Sequence, residues 1–422
     1  MLNQRLVSST WFCRRRLTPE TMILSPRLYL GIFAPLFCPR ATAPALSHPF
    51  TTHHYSSPSM FNHRTIQIVL DFDGTITTKD TIEPLVQSAI ALQHPSLSPS
   101  ELSQTPQAEA WRNCKSQYLA DLSAHYEKVS REPSDGVAVT GSGGIEKEQR
   151  SLEALRDVEW ASVERVGESG IFKGVSRESF REMGRAAAAG DLQGRNDSVV
   201  VVRGGFVEFV AWIRENRAEW GVVSVNWSWR WIRGVLDTVL GDVGGGGSMY
   251  VKANDADGST GMINGYPLHK VCYNLLKTTF DTNGHQLNRK RTHLLTTADK
   301  LRAQINTLFY FELGVSSPEP LTVYIGDSPT DLSPLLHADI GIIMNSPSST
   351  PGALNVIIDK CGYRVLPVSE YKELYRKGEN ENVAILLSAN NFTEIMDSGM
   401  LQDEEWGPTA AKAAWKKAES EG

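Results

Sequence analysis

Aliphatic residues at Ile66, Ile68, Val69 and Leu70 fill both faces of a short segment, which predicts a strand buried on each side in a parallel sheet. From Asp80 to about residue 205 strand signals fade and the spacing turns helical. Trp111, Tyr118, Leu119, Leu122 and Tyr126 recur as one helical face within 107–130. The Gly- and Ser-rich stretch 134–144 reads as a flexible loop, after which "EKEQRSLEALRDVEWASVERV" resumes helical spacing. "GRAAAAGDLQGRNDS" is a connector, or a short helix between breakers. Apolar runs and helical faces then alternate: a helix at "GGFVEFVAWIREN", a strand at "WGVVSVN", a helix at "WSWRWIRGVLDTVLG", a Gly-rich turn at 244–247 and a strand at "MYVKAN". "TTADKLRAQINTLFYFELG" predicts a helix with Thr297 as N-cap and Gly314 as its stop. "PLTVYIGDSPTDLSPLLHADIGIIM" reads as strand, loop, helix, strand. Further on, "NVIIDKCGYRVLPVSEY" and "VAILLSANNFTEIMDSGML" are expected to add an edge strand and a closing helix, without chemistry. The alternation predicts an α/β fold, a doubly wound and mostly parallel sheet carrying an inserted α-helical domain.

Ligands of such sheets sit beyond the carboxyl ends of the strands, and the conspicuous polar residues fall there. The first strand runs into Asp71 and Asp73 and turns on Gly74; another ends at Ser224, and a third at Asp327 and Asp331. Lys300 stands at a helix start between the last two. Singly, each has an ordinary explanation: a solvated Asp cap, a strand-end Ser, a surface Lys, an N-cap and its neighbour. Together and in this order they do not.

Asp-x-Asp-Gly-Thr, a strand-end Ser, a Lys and then Gly-Asp-Ser-x-x-Asp resembles the ordered motif set of the haloacid dehalogenase (HAD) superfamily of phosphohydrolases, over roughly residues 65–345. The chain looks most like the phosphoserine-phosphatase-like branch, in which a helical cap lies between the first two motifs. The resemblance implies a nucleophilic Asp71, which forms an aspartyl-phosphate, and an acid–base Asp73. It implies Lys300 steadying the phosphate and Asp71, and phosphate contacts from Ser224, the Val225 amide, Gly74 and Thr75. Mg²⁺ would be held by Asp71, the Asp73 carbonyl and Asp327, with Asp331 in support. The sequence also departs from the family. Asp80 stands where phosphoserine phosphatase has a Glu that grips the substrate amine, which puts serine phosphate in doubt. "SVNWSWRW" replaces the small Ser-Gly-Gly turn, with Trp227, Trp229 and Trp231 expected as packing residues. Lys270 and Lys277 compete more weakly for the role of Lys300.

At 422 residues the chain can bury a full core, and its net charge of -6 leaves no basic excess for a nucleic-acid partner. No apolar run is long enough for an integral membrane segment. Cys13, Cys38, Cys114, Cys272 and Cys361 are scattered, without metal or redox spacing. Residues 1–60 are Arg-rich, with Glu20 the single acid, which resembles a mitochondrial transit peptide; the alternative is a disordered extension of a cytoplasmic protein. The expected division is therefore 1–60 extension, 61–82 and 204–400 core, 83–203 helical cap and 401–422 solvated tail. The expected activity is Mg²⁺-dependent hydrolysis of a small phosphorylated metabolite. The alternatives are transfer of the phosphoryl group to an alcohol, or a non-catalytic binding protein on the same fold. The oligomeric state is left open.

Overall fold

Apolar runs at the positions expected for strands pair into one sheet: β1 (Ile66–Leu70), β2 (Glu219–Val223), β3 (Tyr250–Lys252), β8 (Leu321–Gly326), β9 (Ile340–Met344), β10 (Arg364–Pro367) and β11 (Ile385–Ala389). Two antiparallel pairs stand apart, β4 (Asp255–Ala256) with β5 (Ile263–Asn264) and β6 (Tyr266–Pro267) with β7 (Arg291–Thr292). The computed structural model describes residues 65–131, 142–190, 199–244, 249–267, 291–312, 320–346, 352–372 and 385–403. The N-terminal extension, most of the loops at 134–144 and 244–247, Lys270, Lys277, Gly314 and the tail beyond Gly407 lie outside the described residues.

The main sheet has the order β10-β11-β9-β8-β1-β2-β3, and every pair in it is parallel. Leu70 pairs with Val222 on one side and Ile325 on the other, so Asp71, Ser224 and Asp327 emerge at one edge. Helices cover both faces, because side chains alternate across each strand. Ile68 and Leu70 join the core containing Phe209, Ile213, Ile232 and Leu236, whereas Val69 joins Ala303, Phe311, Leu335 and Ile343. This is the α/β, doubly wound architecture expected from the alternation, a Rossmann-like sheet.

Between β1 and β2 the described chain is helical: α1 (Ile82–Gln93), α2 (Pro99–Leu102), α3 (Pro106–Arg131), α4 (Ser142–Glu153), α5 (Arg156–Glu168) and α6 (Arg177–Ala189). Gly190, at φ +71°, ends α6, so the low-complexity stretch begins as helix. The expected single face of α3 does not hold. Trp111 is buried, but Leu119 is 62% and Tyr126 51% exposed. The Tyr118 hydroxyl points to Glu159 of α5, at 2.8 Å, and one residue further a helix has turned by about 100°. Leu119 is thereby carried off the contact.

After the insertion come α7 (Phe206–Glu215) and α8 (Trp229–Leu240), then α9 (Thr297–Glu312), α10 (Leu332–His337), α11 (Ala353–Lys360) and α12 (Phe392–Asp397). Ser228 caps α8 by accepting from the Trp231 amide. Thr297 is not the cap of α9: its hydroxyl accepts from Ser333 N at 2.9 Å. Asp299, inside the first turn, instead takes the Leu295 and Thr296 amides at 3.1 and 3.2 Å. The C-terminal part supplies two strands rather than one, and β11 enters between β10 and β9. The two ends of the helical insertion are themselves paired. Thr77 and Val202 form an antiparallel bridge, flanked by Thr78 N to Val201 O at 2.9 Å and Arg203 N to Ile76 O at 2.8 Å. Among the described residues no helix is long and apolar enough to cross a membrane.

Candidate active site

The chain leaves β1 through a kinked turn at Phe72–Ile76 in which Gly74 has φ +76°, a region that favours glycine. Space makes the same demand, since a Cβ on Gly74 would run into the Asp327 carboxylate. The turn therefore brings Asp71 and the β8 end together. Asp71 Oδ1 accepts from Phe72 N at 2.7 Å, and Oδ2 lies 2.7 Å from Lys300 Nζ. Lys300, fully buried in the first turn of α9, also reaches Asp331 Oδ1 at 2.7 Å.

Asp331 has its acceptor sites filled. Tyr324 Oη donates to Oδ1 at 2.6 Å; Asp327 N, Ser328 N and Ser328 Oγ donate to Oδ2 at 3.1, 2.9 and 2.8 Å. It fixes the lysine and the loop after β8. Thr75 Oγ1 donates to Asp327 Oδ1 at 2.8 Å, so this hydroxyl is turned to a carboxylate.

Asp73 faces a different set of donors. Its Oδ1 accepts from Thr81 N and Thr81 Oγ1 at 2.9 and 2.7 Å, and its Oδ2 from Asn226 Nδ2 at 2.8 Å. Thr81 Oγ1 is in turn fixed by Trp231 Nε1 at 3.1 Å. Ser224 is buried just past β2, where its Oγ accepts from Asn226 N at 3.2 Å; Val225 follows, and its carbonyl takes Asn254 Nδ2 at 3.0 Å. Asp71, Asp327, Asp331 and Lys300 are thus in one cluster with Gly74 and Thr75. Ser224 and Val225 flank it without a hydrogen bond to its carboxylates. Asp80 bonds the Ile82 amide at 2.7 Å.

The electrostatics follow from burial. Burial lowers the affinity of Lys300 for its proton, but Asp331 and Asp71 outweigh this and hold its pKa above the ordinary value. Asp71 is pushed up by burial, with Asp331 and Asp327 adding to the effect and Lys300 opposing it. Burial and Asp331 raise Asp327 to about 7. Asp73 is likewise raised to about 7, by burial and then Asp80, against the donors from Thr81 and Asn226.

Carboxylate oxygens of Asp71, Asp327 and Asp331 lie within 4.8 Å of one another. These hard oxygen donors carry more negative charge than Lys300 balances, so the cluster fits a divalent cation such as Mg²⁺. With Asp331 saturated by donors, Asp71 and Asp327 are the residues left for direct contact.

Arg203, Tyr324, Thr81 and Asn226 contribute to this site although no motif marks them. Tyr324 reads as strand core and Arg203 as a helix-flanking charge. An unusual Asn in place of a small turn residue was the one available signal, for Asn226.

No family model matches the chain. Among solved structures it is similar to a phospho-aspartyl intermediate analogue of phosphoserine phosphatase, at 15% identity and a TM-score of 0.37, covering 79% of this chain and 98% of that one. A HAD family hydrolase from Salmonella enterica serovar Typhi gives 12% and 0.33, with coverage of 67% and 63%. Two yeast proteins are similar in sequence. Cold tolerance protein 1 of Saccharomyces cerevisiae is 24% identical over 305 residues, 69% of this chain and 83% of its own length. A CTO1 family protein of Schizosaccharomyces pombe is 30% identical over 289 residues, 66% of this chain and 81% of its own. With that identity over that share of the relative, the chain belongs to the CTO1 family.

Proposed function

We propose that the chain is a Mg²⁺-dependent phosphatase that hydrolyses a small phosphorylated metabolite through an aspartyl-phosphate on Asp71. The observation that carries this reading is the Asp71 carboxylate, buried at the strand end on Lys300 and beside Asp327 and Asp331. In the motif order Asp-x-Asp-Gly-Thr to Gly-Asp-Ser-x-x-Asp, that arrangement has a chemical purpose. A bound cation would neutralise charge between carboxylate and phosphate, held by Asp71, the Asp73 carbonyl and Asp327.

Asp71 attacks phosphorus as the bond to the leaving oxygen breaks, and Asp73 gives that oxygen its proton. Thr81 fills both acceptor positions of Asp73 Oδ1, and Asn226 fills one of Oδ2. The remaining position on Oδ2 is the one that carries the proton. At a pKa of about 7 the group can hold a proton for the leaving alkoxide and, once ionised, take one from water. That water attacks the aspartyl-phosphate, and inorganic phosphate leaves with Asp71 restored. Lys300 keeps the Asp71 carboxylate aimed, and Ser224 and the Val225 amide bind phosphoryl oxygens. Residues 83–203 act as a cap on a core built from 61–82 and 204–400.

The test is a panel of phosphate esters incubated with purified protein and Mg²⁺, with Asp71→Asn as control. Turnover by the wild type that the variant lacks is expected. Equal turnover by both rejects the nucleophile assignment.

A further inference from the structure

Arg203 lies on the segment that returns from the helical insertion, in "VVRGG", and is only 5% exposed. Among the described residues its guanidinium makes no salt bridge, although Asp327 lies close enough to feel its charge; every hydrogen bond it makes there ends on a backbone carbonyl, that of Thr75, Gly74, Asn345 or Asn390. Nε donates to Thr75 O at 3.0 Å, Nη2 to Gly74 O, and Nη1 to Asn345 O and Asn390 O at 3.0 and 2.8 Å. The first two acceptors belong to the turn after Asp71 and Asp73, the last two to the ends of β9 and β11. Asn345 N bonds Ala389 O at 2.8 Å, so the strand ends are tied to each other. One side of the fork grips a rigid sheet edge and the other a turn with little regularity of its own. Asp73 and Gly74 have non-helical backbone angles there. We propose that Arg203 is the positioning residue that fixes the peptide planes of this turn and, through them, the geometry of the phosphate-facing groups.

In a planar trans peptide the carbonyl and the following amide point opposite ways, so gripping Gly74 O and Thr75 O also sets the directions of the Thr75 and Ile76 amides. The same planes decide whether Thr75 Oγ1 stays on Asp327 Oδ1 and whether Gly74 can lie against that carboxylate. Arginine is the residue for this task because its donors form a planar fork. A lysine carries the charge but presents its donors from one point.

The inference rests on the phosphatase reading, and the experiment separates the two. Wild type, Asp71→Asn, Arg203→Lys and Arg203→Ala are compared for folding by circular dichroism and thermal melting, then for kcat and KM on one phosphate ester with Mg²⁺. Arg203→Lys is expected to fold and to lose about 100-fold in kcat with KM little changed, the signature of misplacement rather than lost binding. Guanidinium ion, at concentrations that leave the wild type folded, is expected to restore part of the kcat of Arg203→Ala. An active Arg203→Lys with kcat within about twofold of wild type overturns the inference while the reading stands. So does a loss that only tracks the folded fraction, failure of both variants to fold, or no rescue. A wild type with neither turnover nor beryllofluoride trapping overturns both.

Discussion

Asp71 and Asp73 lie two positions apart, yet their surroundings differ, and the roles proposed for them differ with them. Asp71 sits against Lys300, whereas Asp73 is held by Thr81 and Asn226. Asp71→Asn is therefore expected to abolish both turnover and beryllofluoride trapping with the fold intact. Asp73→Asn is expected to slow esters of poorly acidic alcohols far more than p-nitrophenyl phosphate, whose leaving group hardly needs a proton. Equal losses on both substrates would reject Asp73 as the acid. Lys300→Met leaves two buried carboxylates without their cation, and truncating one partner of a buried pair costs about 3–5 kcal/mol. Chemical denaturation in chelator measures it; a loss well under 1 kcal/mol would show the pair to be energetically idle.

His293 makes a separate residue-scale prediction. It lies edge-on to Trp160, with ring centroids 4.7 Å apart, and its Nε2 is 2.9 Å from Ile263 O. Burial lowers its pKa below the ordinary 6.5, the Ile263 carbonyl pulling the other way without prevailing. Below 6.5 and down to the folded value the unfolded chain binds the proton more readily. Stability from this group is thus complete above that pH and is lost as pH falls through the folded pKa. His293→Gln should flatten the decline in denaturation midpoint between about pH 7.5 and 5.5. Parallel declines in wild type and variant would contradict this.

At the scale of elements, the crossing of α6 on α8 depends on missing side chains. A Cβ on Gly234 would strike the Arg181 carbonyl, and one on Gly184 the Trp231 carbonyl. Gly234→Ala must push the helices apart, at a cost of about 1–3 kcal/mol for overpacking. Unchanged stability on denaturation would mean that the contact gives way freely. The strands from β1 to β9 of the main sheet are legible as apolar runs, with Asp71, Ser224 and Asp327 visible as their polar ends, whereas the C-terminal part reads as one edge strand where two join the sheet. Leu119 is misplaced by the periodic reading because it lies about 100° round the helix from Tyr118, the residue that meets α5. Arg203 and Tyr324 were not legible as site residues for a physical reason. The Arg203 side chain finds its acceptors in the turn after β1 and at the ends of β9 and β11, and nothing local encodes that meeting. Tyr324 is indistinguishable from core until Asp331 is seen beneath its hydroxyl.

For the molecule as a whole, the buried carboxylates repel one another, and a bound cation would relieve them. Millimolar Mg²⁺ should raise the melting temperature, chelator should reverse the rise, and Asp327→Asn should reduce it, because a ligand that binds only the folded state stabilises it by mass action. A shift that persists in Asp327→Asn would place the ion elsewhere. Helices of the insertion pack onto the core beside this edge, and a closing cap favours small substrates. Small esters should be turned over while intact phosphoproteins are not; efficient dephosphorylation of a folded phosphoprotein would show that the helices do not close the site.

The position of β11 between β10 and β9 ties this chemistry to biosynthesis. A nascent chain can pair β1, β2, β8 and β9 as they emerge, but β9 keeps an open edge until residues 385–389 have been made. The same late segment brings Asn390, whose carbonyl anchors Arg203. A ribosome stalled shortly before that point therefore holds a chain in which the carboxylates of the candidate site are present, one edge is free to pair with any strand it meets, and the Arg203 brace on the turn after β1 is incomplete. Chains cut before the β11–α12 unit are therefore expected to aggregate and to lack turnover, and a cut directly after α12 also removes the buried Met400 and Leu401 from the core.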